Sequence, residues 1–103
     1  MDDLEGNDDY TPITTSGDAM NTNFEMGSAY LDMHKYVEAL EEFEQAMDDP
    51  EIDQQAAYNV AFCYLKIGSA QEAQRRLETL LAQENLIAAV EERAQELLQK
   101  ISS

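Results

Sequence analysis

The sequence predicts an all-α protein built from antiparallel helix pairs, on two observations. First, Gly27, Tyr30, Ala39 and Phe43 are each followed 34 residues later by a residue of similar size. The matching positions are Ala61, Tyr64, Ala73 and Leu77. A fixed period of this length marks one supersecondary unit that is repeated and stacked. Second, the sequence has neither a run of alternating apolar and polar residues nor an Asn-Gly hairpin turn, so no strand is predicted.

Composition limits both the size of the fold and the class of partner. A chain of 103 residues makes one domain at most. It has 22 acidic and 6 basic residues, for a net charge of −16. Such a surface repels nucleic acid and anionic lipid, so we expect neither as a partner. Protein segments that carry basic residues are attracted instead, in a salt-dependent way.

The cysteine count is compatible with a reducing compartment, and the hydropathy predicts no membrane helix. Cys63 is the single cysteine of the sequence, so an intramolecular disulfide is impossible. No stretch of the sequence approaches the roughly 20 apolar residues of a membrane helix. The N-terminus is rich in Asp and lacks the basic and apolar regions of a secretion signal. We therefore expect a cytoplasmic protein, or a piece of a larger one, that does not insert into membranes.

Residues 1–20 differ in composition from the rest of the chain. They include six acidic residues, no Lys or Arg, and few large apolar side chains. Because little apolar surface is available to offset the entropy of ordering, we predict a disordered acidic tail. The alternative is that Tyr10-Thr11-Pro12-Ile13 acts as a pseudo-ligand, lying in a groove of this copy or of another copy.

The first helix pair is predicted from Thr22 onward. Thr22 and Glu25 form a T-x-x-E capping box, the signature of a helix start. Apolar residues at helical spacing then predict a helix over about residues 23–34. His34-Lys35 forms the turn, and a second helix follows over about residues 36–47.

A second helix pair follows Asp48-Asp49-Pro50. Pro50 is compatible with the first turn of a helix, which we expect to run to about Ile67. Gly68 ends this helix in the left-handed conformation that glycine adopts easily. Ser69 and Glu72 then form a second capping box, which opens the fourth helix.

A fifth helix is predicted after the break at Glu84-Asn85, over about residues 86–101. One of its faces carries apolar residues at helical spacing, and the opposite face is charged.

These spacings resemble the tetratricopeptide repeat, a helix-turn-helix unit of 34 residues. The matching residues of the first unit are Gly27, Tyr30, Ala39, Phe43, Ala46 and Pro50; those of the second are Tyr64, Gly68 and Ala73. Asn23 stands where the family pattern has Trp. The resemblance implies an α-solenoid domain of about five helices over residues 21–103. Its parts are repeat 1 (about 21–50), repeat 2 (about 51–84) and a capping helix (about 86–102).

The resemblance also implies a protein–protein interaction scaffold or adaptor whose first helices line a concave groove. The family's groove register falls on Phe24, Ser28 and Leu31, on Tyr58, Asn59, Phe62 and Leu65, and on Arg93 of the last helix. We expect the apolar members to leave an exposed strip that binds an apolar or amphipathic peptide, in a role that includes chaperone-like binding. Asn59 and Arg93 would make the polar contacts. The alternative is a structural or self-associating domain of a larger protein, with a second copy as occupant of the groove.

One known function of the family is argued against. Members that bind the acidic C-termini of heat-shock chaperones use a clamp of lysines, asparagines and an arginine. Asn59 and Arg93 fall at two clamp positions, but Phe24 and Ala89 stand at the lysine positions. The net charge of −16 also opposes an acidic ligand.

The sequence does not predict an enzyme. His34 lies at a predicted surface turn without a nucleophile beside it, and Cys63 lies in a predicted helix without basic neighbours. The acidic cluster at Asp48, Asp49 and Glu51 lacks the twelve-residue loop and the glycine of a calcium site. No phosphate-binding or dinucleotide motif is present, so we expect no catalytic residue, no metal and no cofactor.

Overall fold

The computed structural model describes residues 11–13 and 21–102. Within this range the chain forms five α-helices and no strand, which confirms the predicted all-α solenoid class. The helices are α1 (Thr22–Asp32), α2 (Tyr36–Ala46), α3 (Asp53–Lys66), α4 (Ala70–Leu81) and α5 (Ala88–Ser102). Each helix packs on the next along the chain, and α3 also contacts α5.

The central helix α3 belongs to both apolar clusters of the fold. The first cluster joins it to the α1–α2 pair and contains Phe24, Ala39, Phe43, Ala46, Ile52, Ala56, Val60 and Cys63. The second joins it to α4 and α5 and contains Tyr58, Ala61, Phe62, Leu77, Leu80, Val90, Ala94 and Leu97. As a result, residues 58–63 are all buried. A helix buried all round is held by its neighbours rather than by its own propensity.

The α1–α2 pair crosses closely at Gly27, as the repeat spacing predicts. A Cβ atom placed on Gly27 would lie 2.8 Å from the ring of Phe43, which is shorter than real contacts allow. Phe43 is fully buried, and its ring meets that of Phe24 edge to face at 5.1 Å between centroids. In the second pair, Ala61 and Leu77 occupy the two equivalent positions, both fully buried. The two repeats therefore combine side-chain sizes differently at the same crossing.

Both helix pairs turn through a residue in the left-handed conformation. The predicted cap at Gly68 is present with φ +90°, and His34 takes the same position in the first pair with φ +59°. In each turn the next amide bonds back to the carbonyl of a repeat tyrosine: Lys35 N to Tyr30 O at 2.9 Å, and Ser69 N to Tyr64 O at 2.8 Å. This is the Schellman arrangement, which satisfies the last carbonyls of the helix.

The predicted capping box at Thr22 is wrong, because Asn21 caps α1. The Asn21 Oδ1 atom accepts a hydrogen bond from Phe24 N at 2.9 Å. The Asn21 Nδ2 atom donates to Asp49 Oδ2 at 3.0 Å, and this bond lowers the pKa of Asp49. One side chain therefore caps a helix and ties its start to the α2–α3 turn, which Thr22 at the next position does not do.

The second predicted capping box is also wrong. Ser69 stands at the N-cap of α4, but its side chain makes no capping hydrogen bond. The Glu72 carboxylate instead accepts from Arg76 Nε at 2.9 Å and from Arg75, and these bonds lower its pKa. The carboxylate is drawn to the guanidinium groups one turn later because charge-assisted bonds are the stronger ones.

The α3 helix begins at Asp53, three residues later than Pro50. Residues 50–52 form a turn instead, in which Ile52 N donates to Asp49 O at 3.0 Å. This turn places Ile52 in the first cluster with 1% of its surface exposed. Burial of a whole isoleucine side chain is worth about 1.5–3 kcal/mol, so Ile52 stabilises this turn against the core.

Gln54 of α3 holds the start of α5. Its Oε1 atom accepts from Ile87 N at 2.7 Å, and its Nε2 atom donates to Asn85 O at 3.2 Å. Asn85 has a positive φ of 60°, so the chain turns sharply at this point. These bonds tie the start of α5 to α3, and the buried Val90, Ala94 and Leu97 of α5 pack in the second cluster.

The close crossing predicts that Gly27→Ala changes the free energy of unfolding in opposite directions in the wild-type and Phe43→Leu backgrounds. In the wild-type background, Gly27→Ala should overpack Phe43 and lower the free energy of unfolding by about 1–3 kcal/mol. In a Phe43→Leu background, which copies the second repeat, the same change should raise it by up to ~1 kcal/mol, because alanine favours helix. Urea unfolding of the four proteins of this cycle measures the coupling between the two positions.

The coupling energy is the test of the cycle, since helix propensity cancels in it. Additive effects of Gly27→Ala and Phe43→Leu would show that the two positions are not packed against each other.

The two left-handed turns predict opposite effects for exchanges at equivalent positions. His34→Gly should raise the free energy of unfolding by about 0.5–1 kcal/mol, because glycine adopts positive φ without steric cost. Gly68→Ala should lower it by about 1–2 kcal/mol for the converse reason. Thermal or urea unfolding gives both values.

The control is His34→Ala, which also removes the contact between His34 Nδ1 and Tyr36 Oη at 3.0 Å. Alanine has a Cβ atom, so this variant should show no gain. Equal gains for Gly and Ala at position 34 would exclude backbone strain as the cause.

Candidate functional site

Residues 11–13 lie against α3 and α5, and Asn59 holds their main chain. Ile13 N donates to Asn59 Oδ1 at 2.8 Å, and Asn59 Nδ2 donates to Ile13 O at 2.9 Å. The carboxamide thus pairs with both polar groups of one residue, as a neighbouring strand would.

Arg93 and Tyr58 hold the carbonyls that precede Ile13. Arg93 Nη1 donates to Thr11 O at 2.9 Å, to Thr11 Oγ1 at 3.1 Å and to Pro12 O at 3.2 Å. Tyr58 Oη donates to Thr11 O at 3.2 Å. Burial raises the pKa of Tyr58, so the hydroxyl keeps the proton that it donates. We name the surface formed by Tyr58, Asn59 and Arg93 the α3–α5 groove.

The side chain of Ile13 completes the contact. It packs against the second apolar cluster, which α3, α4 and α5 form together. The groove therefore combines polar contacts to the main chain with apolar contact to one aliphatic side chain. Sites for extended peptides commonly divide their contacts in this way.

Asn59 is difficult to explain as part of the helical stack alone. It lies in the middle of α3 and is fully buried. Asparagine is a poor helix former, and burying a carboxamide is costly unless it is hydrogen bonded. Among the described residues its side-chain bonds go to Ile13, which lies outside the five helices. The main chain of Ile13 therefore supplies the hydrogen bonds that the buried carboxamide needs.

Gln55 lies one helical turn before Asn59 and was not predicted as a site residue. The Gln55 Oε1 atom is buried and has no hydrogen-bond partner within the described part of the chain. Residues four apart share one face of a helix, so α3 carries two carboxamides on the same side. In the sequence, Asn59 interrupts the apolar stretch of residues 56–65, and Gln55 lies directly before that stretch.

Three of the predicted groove side chains are not exposed apolar surface. Phe24, Tyr58 and Phe62 have exposed fractions of 2%, 1% and 4%. Phe24 belongs to the first cluster, where its ring contacts the ring of Phe43. The Phe43 ring fits between the helices because Gly27 has no side chain. Tyr58 and Phe62 belong to the second cluster. The expectation of an exposed strip is therefore wrong for these residues, while their part in binding stays a prediction.

The remaining predicted residues occupy different positions around the site. Leu31 packs against both clusters, and Leu65 packs against the second. Ser28 is half-buried on α1. Of the predicted set, the structure brings Tyr58, Asn59 and Arg93 together on one bound segment.

The two interpretations of residues 1–20 have separate outcomes. Residues 1–10 and 14–20, including Tyr10, lie outside the described residues, so disorder of the tail stays a prediction. Thr11, Pro12 and Ile13 are described, and they lie in the groove of their own chain. This position is the one that the pseudo-ligand alternative expected.

The residues considered for chemistry lie apart. Cys63 is fully buried, which raises the pKa of its thiol to about 12 and keeps it protonated. His34 is exposed at the α1–α2 turn. Within residues 11–13 and 21–102, no three His, Cys, Asp or Glu side chains gather as a metal site would require. No helix in the same ranges is long and apolar enough to cross a membrane.

Comparison with known proteins gives one match. A family model for the tetratricopeptide repeat matches residues 30–101, from the end of α1 into the last turn of α5. No curated protein and no solved structure matches the chain. The family is typically a non-catalytic scaffold, and its repeats are protein–protein interaction modules. The match covers more than two thirds of the chain, and the chain therefore belongs to the tetratricopeptide-repeat family.

Proposed function

We propose that the protein binds an extended polypeptide segment of a partner protein in the α3–α5 groove. The single observation that carries this proposal is the double hydrogen bond between the Asn59 carboxamide and the main chain of Ile13. Main-chain groups are common to all polypeptides, so Asn59 and Arg93 can hold a segment of another protein in the same way. Binding of such a segment while it is unfolded would be chaperone-like.

The chemistry of the groove indicates the class of ligand. The pocket occupied by Ile13 is apolar, so an aliphatic side chain fits it and a charged one does not. The net charge of −16 favours neutral or basic segments over acidic ones and over nucleic acid. We place the protein in the cytoplasm, where the unpaired Cys63 remains reduced.

Self-association is the second candidate, and one observation favours it. Met26, Met33 and Val37 of the first helix pair expose 42%, 53% and 54% of their surface. Large exposed apolar side chains on one unit are typical of a surface that a further unit covers. A second copy stacked there would make the chain an oligomerisation domain, and its sedimentation would depend on concentration.

Substitution of the two polar groove residues tests the proposed function. The probes are nine-residue peptides selected from a random displayed library on the immobilised full chain, then measured individually by calorimetry. Asn59→Ala should weaken their binding roughly 10- to 100-fold, because both main-chain groups of the ligand lose a partner in a closed site. Arg93→Ala should weaken it about tenfold for the same reason.

The matched control is Arg75→Ala on α4. Arg75 is also an arginine, but it pairs with Glu72, and its side chain is 69% exposed. We expect this variant to bind the selected peptides as the wild type does. Circular dichroism confirms that each variant remains helical. Peptides that bind all three variants as tightly as the wild type would exclude the groove as the binding site.

A further inference from the structure

We propose that Thr11-Pro12-Ile13 is an intramolecular ligand of the α3–α5 groove, and that a partner segment binds by displacing it. The displacing segment is an extended, uncharged chain with an aliphatic residue at the Ile13 position. This inference rests on the proposed function of the groove. It adds that Thr11-Pro12-Ile13 occupies the groove before a partner binds, and that the partner segment must resemble these residues.

The contacts are of a kind that another segment can replace. The Asn59 carboxamide, Arg93 and Tyr58 bond to main-chain atoms of the segment, apart from one bond to the Thr11 hydroxyl. The specific side-chain contact is that of Ile13 with the second cluster. An external chain with an aliphatic residue in register presents the same atoms to the groove.

The hydrogen bonds of Arg93 indicate that the groove is a specific binding site for the segment. The chain has 22 acidic residues. The two arginines outside the groove, Arg75 and Arg76, bond to carboxylates. The hydrogen bonds recorded for Arg93 go instead to carbonyl and hydroxyl oxygens of Thr11 and Pro12. Because carboxylates are abundant in this chain, a guanidinium that bonds carbonyl oxygens instead is positioned to bind polypeptide main chain.

The segment also has the advantage of being tethered. Seven residues separate Ile13 from Asn21, which caps α1. A tether this short gives an effective concentration on the order of 1 mM. An external peptide of equal intrinsic affinity must compete with that concentration. For an intrinsic Kd of about 0.1 mM, its apparent affinity falls roughly tenfold.

Release of the segment within the full chain tests the inference. Ile13→Asp places a carboxylate at the apolar cluster and should free the groove without touching the helices. The probe is a fluorescein-labelled peptide with the uncharged sequence of residues 10–16, measured by anisotropy. We expect Ile13→Asp to bind it about tenfold more tightly than the wild type, as the tether estimate requires.

Three controls accompany this measurement. Val37→Asp introduces the same charge at a position that is 54% exposed, and it should bind the probe as weakly as the wild type. A probe that itself carries Ile13→Asp should not bind, whereas one with Ile13→Val should. The double variant Ile13→Asp with Asn59→Ala should lose the probe.

The outcomes separate this inference from the proposed function. Equal binding by the wild type and Ile13→Asp, lost on Asn59→Ala, would overturn the intramolecular ligand and leave the groove as a peptide site. Binding to Ile13→Asp that does not depend on Asn59, or no binding by any variant, would overturn both. A wild-type dimer in sedimentation that Ile13→Asp dissociates would place a second copy's segment in the groove, which also overturns the intramolecular form.

Discussion

The enclosure of α3 between the α1–α2 pair on one side and helices α4 and α5 on the other is the constraint on which the rest of the structure depends. Residues 58–63 are buried on every side, so a polar group there must find a partner within the protein. Asn59 is the polar side chain among the fully buried residues of the described chain, and its partner is the main chain of Ile13. The buried carboxamide of Asn59 is therefore satisfied by polypeptide main chain, and the α3–α5 groove is where the two meet.

The parts of the fold that could be predicted from the sequence depend on local size and backbone conformation. The close crossing at Gly27 and the left-handed turn at Gly68 follow from the absence of a Cβ atom, which the sequence shows directly. The start of α1 was not predictable in the same way, because Asn21 and Thr22 are both competent caps. The choice depends on Asp49, 28 residues away, to which the Asn21 side chain also bonds.

Some residues of the candidate site could also be predicted from the sequence, and others could not. Asn59 and Arg93 were expected at the groove because the resemblance carries the family's groove register onto these positions. The burial of Phe24 was missed because it depends on Phe43, which fills the space beside Gly27 on the facing helix. The contacts of Ile13 were an alternative only, since an acidic, polar composition around a segment carries no information about hydrogen bonds to residues 46 positions away.

The central claim is that Asn59 holds a polypeptide main chain, and amide hydrogen exchange at Ile13 tests it most directly. In the wild type, the Ile13 amide should exchange more slowly than in a free peptide of the same sequence, because it donates to Asn59. In Asn59→Ala that protection should disappear, while the amides of α3 keep theirs. An Ile13 amide that exchanges in the wild type as fast as in the free peptide would contradict the account.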